Sequence, residues 1–249
     1  MLHLQCTSGL RKIFTMKDKV IKFALSERLW DIAPPKPAKQ YLPEWFKNTP
    51  RFMGTADENP LNAVKTFKVC MPFTDSLISG YIFELWADLY VIRDSNTGIQ
   101  TVRWKEAEDH ILGTRQSEQT GSMPPFKGYS DVHYTLSHPL YLKTPPGYSV
   151  IITQPFNRPD LPFYAMTGIV DTDKHPLFPG NYSLFLKEDF EGIIKMGTPL
   201  FQIIPIKRDK WISESSREIL AEGWRASSKS VRTILGWYRD HAWAKKSYK

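Results

Sequence analysis

Proline and glycine punctuate every apolar run of this chain. There are 19 prolines and 14 glycines, and they sit beside stretches such as "PPGYSVIITQP" and "GTPLFQIIPI". Proline fixes φ and removes a donor, and it pushes the residue before it towards extended backbone. Glycine opens turns closed to other residues. With many aromatic and β-branched residues between the breaks, the chain is suited to short strands joined by structured loops. The alternation of Tyr148, Val150 and Ile152 predicts a half-buried antiparallel strand.

Composition sets the scale. The 249 residues suit one large domain, or a medium domain with appendages. With 41% hydrophobic and 24% charged residues, a sizeable core is expected and global disorder is not. "YSVIIT" and "LFQIIPI" are far too short to span a bilayer, so no membrane partner is expected. "MLHLQCTSGLRKIFTMKDK" has no continuous apolar stretch of the signal-peptide kind. Cys6 and Cys70 form no disulfide framework, which points to a reducing compartment. The expected location is the cytoplasm of a host cell, or a virion, without secretion by a signal peptide.

The strand pattern is predicted to start at Lys19–Ser26, after an extension over residues 1–18 in which Met16 is a second plausible start. Asp31–Phe52 holds five prolines and is expected to wrap the domain. One helical turn is predicted from Pro43, with Trp45 and Phe46 buried; a proline-rich ligand for an SH3-type partner is the alternative. The stretch from Asn62 to Glu106 reads as a first set of strands, in which Tyr81–Arg93 and Ile99–Lys105, around "SNTG", form a hairpin. Residues 106–130 read as a long polar loop. Strands resume at Pro139 and continue to Arg208.

From Trp211 the period becomes helical: Ile219, Leu220 and Trp224, then Val231, Ile234, Leu235 and Tyr238. Serines at 213, 215, 227 and 228 are available as caps. The predicted organisation is an extension (1–18), a β-rich domain (19–210) and a basic, Trp-rich helical region (211–249) packed on it. Of the net charge of +7, residues 205–249 carry +6, from eleven Lys/Arg and five Asp/Glu. Trp211, Trp224, Trp237 and Trp243 are interleaved with Arg217, Arg225, Arg232 and Arg239. That pattern suits either a core-facing helix with a solvated basic face, or contact with nucleotide or nucleic acid. A protein partner or self-association is also expected.

Between Pro145 and Arg208 the order of elements resembles the dUTPase and dCTP deaminase superfamily, a β-clip fold of interlaced short strands. "GIVD" matches that family's strand ending in Ile-Asp, and "GTPLFQ" its glycine turn and glutamine strand. The resemblance implies a β-clip or jelly-roll-like barrel, with a Pro-rich N-terminal arm and a C-terminal helical pair added. It places Asp171 at the catalytic aspartate, orienting or deprotonating water, and Gln202 at the family's glutamine. Asn157 and Arg158, in "NRPD", and Gln202 are the candidates for phosphate or another anion, with magnesium as the metal of such a site. Where the family has tyrosine and arginine after the aspartate, this chain has "TDKHP", and the serines of the phosphate stretch are missing. The wider chain, with "PPKPAKQYLPEWF", "TPPGYSVIITQPFNRPDLPF" and "GTPLFQIIPIKRD", resembles a family of uncharacterised proteins encoded by tailed bacteriophages.

"YSDVHYTLSHP" offers a separate chemistry. Asp131 and His133 share one face of an extended segment, and His138 follows, with His110 or His175 as a further donor. Such a set can hold iron or zinc in a mononuclear enzyme. Three functions therefore stand: a phage-associated binding or assembly module with no cofactor, a nucleotide-directed hydrolase or deaminase-like enzyme using Asp171, and a metal enzyme using Asp131 and His133.

Overall fold

A computed structural model describes residues 19–31, 34–54, 63–104, 111–137, 139–175, 181–232 and 237–249. The fold is mainly β, as expected, but its strands fall into five antiparallel sheets and close no barrel among the described residues. The largest sheet runs β13 (Gly168–Val170), β11 (Tyr148–Thr153), β16 (Pro199–Lys207), β5 (Tyr81–Glu84) and β2 (Lys36–Pro37). A second runs β12 (Phe163–Ala165), β14 (Asn181–Leu186), β9 (His133–Ser137) and β8 (Leu112–Arg115). A third runs β15 (Gly192–Ile194), β6 (Leu89–Arg93) and β7 (Gln100–Trp104). β1 (Lys22–Ala24) pairs with β10 (Tyr141–Lys143), and β3 (Phe52–Met53) with β4 (Val64–Lys65).

One core joins these sheets. Phe83, Val150, Ile152, Leu200, Phe201 and Ile203 of the five-stranded sheet meet Leu136, Phe163, Leu184 and Leu186 of the four-stranded one, with Leu89, Val91, Ile194 and Leu142 closing the sides. Val150 and Ile152 face this core and Tyr148 is half-buried, in keeping with the predicted alternation.

The proline-rich arm wraps the domain by continuing a sheet. β2 adds to the edge of β5, Ala38 N–H donates to Gly80 O at 3.0 Å, and Tyr41 and Lys36 both donate to the Glu84 carboxylate. α1 (Glu44–Asn48) starts directly after Pro43, whose missing N–H costs nothing at a helix start. Phe46 is buried as predicted, whereas Trp45 lies at the surface with 36% exposure.

Three sequence expectations change. Tyr81–Arg93 is two strands in two sheets, because the chain bends at Leu85–Asp88. Asp88 fixes the bend by accepting from Met196 N–H at 2.8 Å and Lys195 Nζ at 2.9 Å. The 106–130 segment contains β8, and α2 (Met71–Ile78) lies in a stretch read as strand, with Pro72 in its first turn. Two helices follow the β body, α3 (Arg217–Arg232) and the short α4 (Trp237–His241), with Ser227, Ser228 and Val231 inside α3 rather than opening a second helix. No helix among the described residues is long and apolar enough to cross a membrane.

Gly80 marks the tightest approach in the large sheet. Its φ is +71°, and a Cβ there would sit 2.1 Å from Ile203 O, a backbone atom of the central strand β16. Gly98 has a similar φ of +69° but open space around it. Gly98→Ala is expected to lose only the left-handed strain of about 1–2 kcal/mol. Gly80→Ala is expected to lose clearly more, because β16 itself must move. Urea denaturation of the two variants checks this, and equal losses would contradict it.

Candidate functional site

The turn after β13 holds Asp171 and Asp173 against β11 and the end of β16. Asp171 O accepts from Lys174 N–H and His175 N–H, which closes the turn. Thr172 is fully buried beneath it, 2.7 Å from Thr144 Oγ1, and Thr144 in turn donates to Tyr148 O. Ser149 Oγ donates to Asp171 Oδ1 at 2.6 Å. Arg208, at the end of β16, lays its guanidinium across both carboxylates: Nη1 lies 3.3 Å from Asp171 Oδ1 and Nη2 lies 2.5 Å from Asp173 Oδ2. Nη1 also donates to Tyr148 O and Ser149 Oγ, while Gly147 N–H donates to Asp173.

The electrostatics follow from that clamp. The Arg208 hydrogen bond, aided by Gly147 N–H, depresses the Asp173 carboxyl to about 2 against the opposing effect of burial. The same bond raises Arg208. The Asp171 side chain keeps 53% of its surface, and Asp173 only 7%. A magnesium ion fits poorly here. A cation already bridges the two carboxylates, and their remaining oxygens, Asp171 Oδ2 and the buried Asp173 Oδ1, fall short of an oxygen shell.

Gln202 is the most fully committed of the candidate residues. It is 1% exposed. Nε2 donates to Ser76 O at 2.8 Å and Ser79 O at 2.6 Å, and Oε1 accepts from Phe156 N–H at 2.8 Å. The amide thereby fastens the end of α2 and the Gln154–Asn157 loop to β16, with neither amide hydrogen left for a ligand.

Asn157 and Arg158 follow in that loop. Asn157 adopts the left-handed region, with φ 55°, which asparagine tolerates better than most residues. Its Nδ2 donates to Ser76 Oγ at 2.7 Å. Arg158 forms a bidentate pair with Asp160, Nε to Oδ1 at 2.8 Å and Nη2 to Oδ2 at 2.7 Å, and a longer bond to Tyr41 O. Burial pushes Asp160 up, yet Arg158 outweighs it and the carboxyl lies below its usual range. Asp171 and Arg158 are not brought together. Ser149, which holds Asp171, begins β11, and the loop carrying Arg158 leaves its other end.

What the loop does build is an aromatic groove of about 730 Å³, lined by Trp45, Phe67, Phe73, Phe156, Tyr129 and Tyr164 with Pro155 and Pro159. Phe67 stacks on Phe73 at 4.9 Å, and Trp45 meets Phe73 edge-on at 6.3 Å. Arg158 is the one charged residue in that lining, and Asp160 neutralises it. Sequence reading missed the groove because its walls come from four separate segments. Its exposed aromatics, Trp45 of α1 and Phe67 just before α2, are the signal, but the first is expected in the core and the second in a strand.

Asp131 and His133 part company. Asp131 is exposed in the bend before β9. His133 is 3% exposed, stacks on Phe185 with centroids 5.1 Å apart, and is held to the neutral side by burial and by Arg115. His138 and His110 lie outside the described residues, and His175 belongs to the Asp171 turn. Among the described residues no group of three His, Cys, Asp or Glu side chains is arranged to hold a metal.

No family model matches the chain, and no curated protein matches it. Three solved chains match, among them a mutant dUTPase from phage phi11 of S. aureus, described with a structural Mg(II) ion. The two share 13% identity with a TM-score of 0.24, over 43% of this chain and 97% of that one, a level that carries no argument about chemistry here.

The clamp sets a pH dependence. A carboxyl depressed to about 2 in the folded chain stabilises it above the unfolded carboxylate value of about 4. That stability is lost as pH falls through the folded value. The melting-temperature difference between the wild type and Asp173→Asn is therefore expected to be full at neutral pH and to shrink steadily below about pH 4. A difference that stays constant through that window would contradict the assignment.

Proposed function

We propose that this chain is a phage-associated binding or assembly module on a β-clip-like, nucleotide-enzyme-like scaffold, and that it does not turn over nucleotides. The reading rests on one observation: the acid and base side chains of the nucleotide-like segment neutralise each other. Asp171 and Asp173 share Arg208, and Arg158 is held by Asp160. A phosphate entering beside either arginine has to break an existing ion pair first. The aromatic groove instead suits a ligand recognised by stacking and apolar contact.

A second reading keeps Asp171 as a general base, and its half-exposed carboxylate favours that reading. The two separate on a panel of deoxynucleoside triphosphates with magnesium. The binding-module reading expects no loss of substrate and no thermal shift with any nucleotide. Turnover that disappears in Asp171→Asn would overturn it.

A further inference from the structure

The aromatic groove is open rather than enclosed, and its rings include two clusters. Phe67, Phe73 and Trp45 form one, and Tyr129 with Tyr164, 6.0 Å between centroids, forms the other. Phe67 keeps 67% of its surface, a large apolar area to leave in water.

The polar atoms of the lining decide what can enter, and most already have partners. Gln154 is used at both ends, donating to Phe163 O and accepting from Ala165 N–H. Thr153 Oγ1 lies 2.7 Å from Thr167 Oγ1, and Asn157 Nδ2 is held by Ser76. Arg158 and Asp160 neutralise each other, and Trp45 Nε1 donates to the same Asp160 at 3.3 Å. The hydroxyls of Tyr129 and Tyr164 are left as donors without a partner among the described residues.

A ligand matched to this groove is neutral, presents rings and brings carbonyl acceptors. It also carries few N–H groups, since the side-chain acceptors of Gln154 and Thr153 are taken. An ordinary extended peptide brings an N–H at every residue. A proline brings a ring and a carbonyl and no N–H. Proline-rich chains also hold the extended polyproline II form before binding, so little order is lost on docking. A phosphate-bearing ligand would have to displace Asp160 to gain a cation here.

We infer that the groove binds a neutral, proline-rich peptide segment in polyproline II form. Its proline rings pack on Trp45, Phe67 and Phe73, and its carbonyls accept from Tyr129 and Tyr164. The inference rests on the binding-module reading above and names the partner of that module. The two fail separately, because Asp171 and the groove lie at opposite ends of β11. Nucleotide turnover that needs Asp171 ends that reading with peptide binding intact, whereas absent peptide binding ends this one alone.

Fluorescence anisotropy of labelled decaproline, titrated with the full-length protein, tests the inference. Saturable binding is expected, with an alanine–serine peptide of equal length and an oligothymidine both left free. Phe67→Ala is expected to weaken decaproline about tenfold, the effect of truncating a contact aromatic. Tyr164→Phe is expected to weaken it about fivefold, for one lost hydrogen bond. Phe67 is exposed and Tyr164→Phe keeps its ring, so both variants are expected to show the wild-type circular-dichroism signal. No saturable binding overturns the proposal. So does binding that both variants leave unchanged, or equal binding of the alanine–serine peptide. Oligothymidine binding that Phe67→Ala weakens assigns the groove to nucleic acid and overturns it too.

Discussion

The buried amide of Gln202 is the contact on which the rest of the arrangement depends. It sits on β16, the central strand of the largest sheet, which pairs with β11 on one side and β5 on the other. Three backbone groups from two other segments converge on it. Since a buried backbone group without a partner is costly, this one side chain decides where the end of α2 and the Gln154–Asn157 loop lie. The aromatic groove follows from that placement, because Phe73 comes from α2 and Phe156 and Asn157 from the loop. The tail's anchor follows too, since Asp75, which accepts from Lys246 Nζ, is one residue from Ser76.

Charge is handled in the same inward way. Arg208 joins the end of β16 to the turn after β13, two strands that flank β11 without touching each other. Its guanidinium supplies the planar fork that two carboxylates and a carbonyl need. Arg158 does the equivalent at the other end, tying its loop to the proline-rich arm through Tyr41 O. These pairs have the geometry of internal staples, although carboxylates beside arginines in a sequence can equally belong to a ligand site. Residue types in sequence do not separate those two uses; only the partner of each charge does.

Much of the scaffold was legible in the chain. The strands at Lys22–Ala24, Tyr148–Thr153 and Pro199–Lys207, the helical turn after Pro43 and the change to helical spacing beyond Trp211 rest on local periodicity and punctuation, which act within a few residues. The split of Tyr81–Arg93 was not legible, because Asp88 makes the bend by reaching Lys195 and Met196, over a hundred residues away. α2 was hidden because "MPFTDSLI" carries no strong helical stripe. Asp171, Arg158, Asn157 and Gln202 were all picked out, yet their partners Arg208, Asp160 and Ser76 decide what they do. Asp131 and His133 share a spacing but not a face, since the strand begins only at His133.

Gln202, the glutamine of "GTPLFQ", holds the end of α2 and the Gln154–Asn157 loop to the central strand. Urea denaturation of Gln202→Leu, nearly isosteric but without hydrogen-bonding atoms, tests it most directly. The account expects a loss of about 3 kcal/mol, the cost of leaving Ser76 O, Ser79 O and Phe156 N–H unpaired in the interior. A variant whose stability stays within about 0.5 kcal/mol of the wild type would contradict it.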